Sequence, residues 1–164
     1  MTFDTVDWHF YLGYTILGLL LFRFVWGFIG PAPIRFRAFI HTPQQTWQYL
    51  KSIGSRSPSG SPGHNPMGCL SVIALLSSIT LQVVTGLFIE SDDYFESGPL
   101  AGFVSETAIK QLTGWHYLNA KILLFLVGLH LFAILFYLLW KKENLIKPMI
   151  SGWKWVKITE SDGE

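Results

Sequence analysis

The stretch that decides the fold runs from Trp115 to Trp140, WHYLNAKILLFLVGLHLFAILFYLLW, with one formal charge, Lys121. A bilayer core about 30 Å thick needs about 20 apolar residues at 1.5 Å rise each, and this run exceeds that. Two further stretches meet the same requirement, from about Trp8 to Gly30 and from about Met67 to Phe88. The expected fold is therefore all-α: a single integral membrane domain over 1–164 with three transmembrane helices, joined by segments 31–66 and 89–114 and followed by tail 141–164. Composition agrees. The chain is 50% hydrophobic and 14% charged, against about 25% charged in soluble domains, and the apolar residues lie in blocks. Trp8, Tyr11, Trp26, Trp115, Tyr117, Tyr137 and Trp140 fall near the span ends, where an interfacial aromatic belt belongs.

Loop charges orient the bundle. Between Pro31 and Pro66 stand Arg35, Arg37, Lys51 and Arg56 with no acidic residue, and Lys141 and Lys142 follow the last span. Between Glu90 and Leu112 stand Glu90, Asp92, Asp93, Glu96 and Glu106 against Lys110. The positive-inside rule makes the first loop and the C-terminus of this multi-pass protein cytoplasmic and puts the N-terminus and the acidic loop on the other side of the membrane. The first span is too long for a signal-peptide core, and Asp4 and Asp7 precede it where a signal peptide carries basic residues. Thr42 to Ile53 places Trp47, Leu50 and Ile53 on one face behind a cap and a proline, a short amphipathic helix lying on the membrane surface. Gly54 to Gly63 reads as a linker rich in Ser, Gly and Pro. Trp153, Trp155 and Val156 among lysines make the tail interfacial.

A net charge of +1 gives no field for nucleic acid. One cysteine, Cys69, rules out an internal disulfide, and without a C-x-x-C-H there is no covalent haem attachment. Cys69 reads as a small packing residue. No acidic pair or Ser–His arrangement supports soluble nucleophilic or acid–base catalysis.

The histidines carry the chemistry, because an imidazole inside a span is costly and marks function by default. His116 and His130 are fourteen residues apart, close to four helical turns, so they share one face about 21 Å apart along the axis. Each can serve as an iron ligand, or both can be satisfied histidines on a polar seam. His9 opens the first span as His116 opens the third, and the two spans run the same way. Their imidazoles lie at one depth and can coordinate haem iron from opposite sides as a six-coordinate b-type site. Gly13, one turn below His9, leaves room for a porphyrin or for close helix packing. Arg23, fourteen residues after His9, either neutralises a haem propionate or snorkels to the cytoplasmic surface. His64 reads as a capping, interfacial group and His41 as exposed. Lys121 points about 140° away from the His116 face, toward the exterior or an acidic partner.

Read in order, His9-Phe-Tyr-Leu-Gly13, Phe22-Arg23-Phe-Val-Trp26-Gly27, Gly63-His64-Asn65-Pro66, Thr85-Gly86-Leu87, Trp115-His116, Gly128-Leu129-His130 and Glu143-Asn144-Leu145-Ile146 resemble the bacterial cytochrome b561 family, which includes the b-type subunits of nickel–iron hydrogenases. The resemblance implies a four-helix transmembrane bundle with two b haems. In it His9 and His116 would ligate the haem nearer the periplasm, and His130 the one nearer the cytoplasm. Two departures stand out. The family's first helix, which carries the other ligand of the cytoplasmic-side haem, has no counterpart here, and Lys121 stands where Asn is usual. His130 and Arg23 would then line a groove filled by a partner's helix, a five-coordinate haem or lipid.

The expected function is b-type haem electron transfer between the quinone pool and a redox partner, such as a c-type cytochrome or a dehydrogenase or hydrogenase subunit. One haem b is expected, with a second open at His130. A haem-free membrane anchor or assembly subunit for a peripheral redox enzyme is the alternative. The acidic loop can steer a basic partner or be a solvated loop obeying the charge bias.

Overall fold

Residues 5–55, 65–90 and 97–147 are described by the computed structural model. Helix α1 spans Thr5–Ile29, α2 Pro43–Ser52, α3 Pro66–Gly86 and α4 Glu106–Leu139, with short 3-10 turns at Ala32–Ile34, Phe36–Phe39 and Ala101–Phe103. Helices α1, α3 and α4 are each long and apolar enough to cross a membrane. The all-helical expectation is met: no strand forms among the described residues, and the extended pairing there is one isolated bridge between Glu90 and Ser97.

Helix starts follow their caps. Thr42 and Gln45 form a reciprocal capping box, with the Gln45 N–H donating to Thr42 Oγ1 (3.3 Å) and the Thr42 N–H to Gln45 Oε1 (3.0 Å). Asn65 Oδ1 accepts from the Gly68 N–H at 2.7 Å, and Pro66 takes the first turn of α3, where its missing N–H costs nothing. Asn65 thus does the capping expected of His64, which lies outside the described residues. Helix α4 starts well before Trp115, because Ser105 Oγ caps the Ala108 N–H (3.3 Å) and Glu106 sits in the first turn. The chain leaving α3 folds back on itself: the Gly98 N–H donates to Ile89 O (2.7 Å) and the Leu100 N–H to Leu87 O (2.8 Å). A side chain at Gly98 would lie 2.5 Å from Leu87 O, so only glycine permits that return.

Helices α3 and α4 pack antiparallel along a polar seam, and α1 and α2 rest more lightly on α3. Along the seam Thr85 meets His116, Gln82 and Ser78 meet Asn119, Ser71 meets His130, and Asn65 meets Tyr137. Each step up α4 is matched by a step down α3, as antiparallel neighbours require. Apolar attraction between helices is weak in lipid, so such hydrogen bonds, at about 0.6 kcal/mol each on average, hold the register. Large apolar side chains point outward instead, among them Leu19, Phe28, Leu124, Phe125 and Leu139, as a lipid-facing surface should.

Of the expected aromatic belt, Trp8, Tyr11, Trp26, Trp115, Tyr117 and Trp140 are exposed, but Tyr137 is 5% exposed and turns into the bundle. Its hydroxyl finds partners there, which a belt position would leave to water. Trp47 and Leu50 of α2 face outward, with Lys51 Nζ over the Trp47 ring at 5.7 Å, while Tyr49 docks on α4. Cys69 is buried, as its packing role requires. Trp153, Trp155 and Val156 lie outside the described residues, as do Arg56 and most of the Gly54–Gly63 linker.

Candidate functional site

Helices α1 and α4 begin at the same end of the bundle, and there His9 and His116 face one another. Their ring centroids are 6.1 Å apart with the ring planes at 71°. His9 is exposed on the outer side, and His116 is 8% exposed against α3. Thr85 and Gly86 hold the His116 ring from behind. Thr85 Oγ1 lies 3.1 Å from His116 Nδ1 and also reaches Leu81 O (2.7 Å) and Gln82 O (3.1 Å). A Cβ on Gly86 would stand 3.1 Å from the His116 Cε1 atom, so the glycine lets the ring lie against the α3 backbone. Gly13 sits one turn from His9, and a side chain there would meet nothing within 4 Å. No part of the described chain packs on it, so it provides open surface rather than a helix contact within this chain.

The donor set can be tested against a haem. A metal–imidazole bond of about 2.0 Å, plus about 1.1 Å from ring nitrogen to ring centre, doubled across one ion, puts the two centroids about 6.2 Å apart. The observed 6.1 Å agrees. Among the described residues no three His, Cys, Asp or Glu side chains converge to hold a bare ion. Two imidazoles alone suit a metal whose other four ligands come from a macrocycle. The bare face at Gly13 is where such a flat group needs room. These residues fit a haem.

His130 lies toward the other end of α4. Its Nδ1 is 3.0 Å from Ser71 Oγ, and the ring is half-buried. Arg23 is drawn to the loop after α1: one guanidinium nitrogen donates to Ile34 O at 3.1 Å, and the group stacks over Phe36 (5.0 Å) and Phe39 (5.5 Å). His41 departs from its expected exposure. It is half-buried, and its Nδ1 is enclosed with no hydrogen-bond partner among the described residues. Lys121 is exposed, pointing away from the seam. Of the site residues expected, then, the structure brings together His9, His116 and the Gly13 face, and it leaves His130 and Arg23 apart from them.

Two groups of polar residues escaped the sequence reading. One is the seam itself. Asn119, 3% exposed, donates to Ser78 O (2.9 Å) and Gln82 Oε1 (2.7 Å) and accepts from Ser78 Oγ (3.0 Å). A signal for the histidine partners was present: Ser71 and Thr85 are separated by the same fourteen residues as His116 and His130. The other is a cluster at the far end. Tyr49 and Tyr137 share a hydrogen bond between their hydroxyls, Asn65 Nδ2 donates to Tyr137 (3.1 Å), and Glu143 is buried beside them. Lys141, 2% exposed, lies over both phenol rings at 5.8 and 5.6 Å. Lys142 adopts a φ of 52°, which turns the chain so that the Glu143 N–H reaches Tyr137 O (3.0 Å). Burial, and then the bond to Tyr137, hold the Tyr49 phenol above its ordinary range.

A bundle of apolar spans that presents two facing imidazoles at this separation has the architecture of a membrane-embedded b-type cytochrome. The chain belongs to the prokaryotic cytochrome b561 family, whose model matches residues 1–152. No curated protein and no solved structure matches it. Membership makes it a multi-pass membrane protein of the b-type haem electron-transfer class.

Proposed function

We propose that this chain passes electrons between the quinone pool and a redox partner, with His9 and His116 as the two axial ligands of a b haem near the periplasmic face. The observation that carries this reading is the 6.1 Å separation of the two rings. When bound there, a haem supplies a reversible one-electron iron couple. Held by two imidazoles, the iron would have no position open for a small ligand, which would favour electron transfer over ligand activation. Gly13 keeps the neighbouring surface of α1 clear. The C-terminus and the basic first loop face the cytoplasm, a reading supported by their lysines and arginines.

His130 and Arg23 make up a second position at the cytoplasmic end. His130 presents an imidazole held by Ser71, and Arg23 can turn part of its guanidinium to a propionate. A c-type cytochrome, or a dehydrogenase or hydrogenase subunit, is the proposed partner. Glu90 and Glu106 belong to the segment that would steer it, while Asp92, Asp93 and Glu96 lie outside the described residues.

The test is haem per polypeptide by pyridine haemochrome, with a reduced-minus-oxidised spectrum, on the detergent-purified chain. One low-spin haem, lost in His9→Ala and His116→Ala but kept in His130→Ala, is the expected result. Two per chain would mean that His130 also holds a haem. None, in cells able to make haem, would refute the reading and leave a membrane anchor for a peripheral redox enzyme in its place.

A further inference from the structure

We infer that Thr85 is a positioning residue that fixes His116 in its Nδ1–H form and so aims an unprotonated Nε2 at the iron. The inference rests on the haem reading above and deepens it, because a neutral imidazole has one N–H and only the other nitrogen can bind a metal.

A threonine hydroxyl has one proton. The acceptor nearest Thr85 Oγ1 is the Leu81 carbonyl at 2.7 Å, one turn back on the same helix, with the Gln82 carbonyl at 3.1 Å sharing it. That is the back-bond a buried helical threonine makes when no water competes, and Thr85 is 2% exposed. With its proton committed to the backbone, Oγ1 has only lone pairs left to turn toward His116 Nδ1 at 3.1 Å. Two lone pairs facing each other at that distance repel, so Nδ1 carries the hydrogen, and Thr85 Oγ1 accepts it beside the Gln82 carbonyl, which the His116 ring also reaches. Nε2 is then the free donor nitrogen. Gly86 completes the cradle by letting the ring lie close against α3.

The contrast along the seam makes the assignment specific. Ser71 and His130 repeat the same contact at 3.0 Å, but among the described residues no carbonyl takes the Ser71 proton. Ser71 can therefore donate or accept, and His130 can be either tautomer. The imidazole that faces a second imidazole is the one whose tautomer is locked. An acceptor on Nδ1–H also makes the ring a stronger electron donor, which favours ferric over ferrous iron and keeps the potential low.

The test compares Thr85→Val, which keeps the shape and loses the hydroxyl, with Thr85→Ser, which keeps the hydroxyl. Haem retention and midpoint potential are measured on the full chain in detergent. Thr85→Val should retain haem about tenfold less tightly and show a higher midpoint. A tenfold rise in the reduced-to-oxidised ratio at fixed ambient potential would correspond to about 59 mV for one electron. Thr85→Ser should match the wild type in both. Wild-type affinity and potential in Thr85→Val would overturn the inference while leaving His9 and His116 as ligands. So would a Thr85→Ser variant that shifts the potential as a lost hydroxyl should, and this second variant decides the matter even if the valine chain does not fold. A wild-type chain without haem would overturn the inference together with the reading beneath it.

Discussion

Replacing Gly86 by alanine should separate the stability of the bundle from its capacity to hold a haem. The added Cβ would stand 3.1 Å from His116 Cε1 and 3.6 Å from Nδ1. Carbon atoms prefer about 3.5–4.0 Å, so the ring must retreat by a few tenths of an ångström. Thr85 blocks rotation, and the ring's separation from His9 is already 6.1 Å, so the retreat displaces the donor nitrogen itself. Metal–ligand distances tolerate only about 0.2 Å. Overpacking of this kind costs about 1–3 kcal/mol, which is about 5- to 150-fold in haem affinity at 1.4 kcal/mol per decade. In the haem-free chain nothing fixes where the donor nitrogen must lie, so the same retreat costs little, and at the last residue of α3 alanine is no worse a helix former than glycine; that chain should melt close to wild type in detergent. Haem titration and thermal unfolding of the same preparation give the two numbers. Wild-type haem affinity in Gly86→Ala would refute the claim that this glycine makes room for the His116 ring.

Asn119→Leu should lower the melting temperature in detergent, because it strands Gln82 Oε1 and the Ser78 hydroxyl in the seam; with membrane hydrogen bonds averaging about 0.6 kcal/mol, the expected loss is about 1–2 kcal/mol, and an unchanged melting temperature would refute it. Burial and the bond to Tyr137 hold the folded-state pKa of the Tyr49 phenol above its ordinary value of about 10. Its contribution is therefore fully present below about pH 10 and is lost as pH rises beyond that, when the unfolded phenol ionises first. Amide exchange in α2, referenced to α3 to cancel its intrinsic pH dependence, should show docking lost on the alkaline side in the wild type. In Tyr49→Phe that step should vanish, with docking weaker at every pH.

The buried cluster shows how the surface helix is tied to the spans. Tyr49 reaches across from α2 to Tyr137, and Trp140 Nε1 donates to Gly54 O at 3.3 Å. These bonds join the end of α2 to the end of α4, so the amphipathic helix is anchored by polar contacts while Trp47 and Leu50 keep their outward face.

What the sequence determined by itself was whatever a bilayer imposes on a chain one segment at a time. Span number follows from the length of apolar runs, and the shared face of His116 and His130 follows from the helical period. That His9 and His116 lie at one depth follows from the direction in which each span crosses. None of these needs knowledge of a neighbouring helix. Tertiary structure decided which polar groups meet. Thr85 finds His116 across 31 positions of the chain, and Tyr49 finds Tyr137 across 88. The sequence places Tyr137 in the aromatic belt and His41 in an exposed loop. Packing buried the first and half-enclosed the second. The physical reason is that burial and hydrogen-bond partnership are properties of two surfaces in contact, whereas hydrophobic length and helical phase are properties of one.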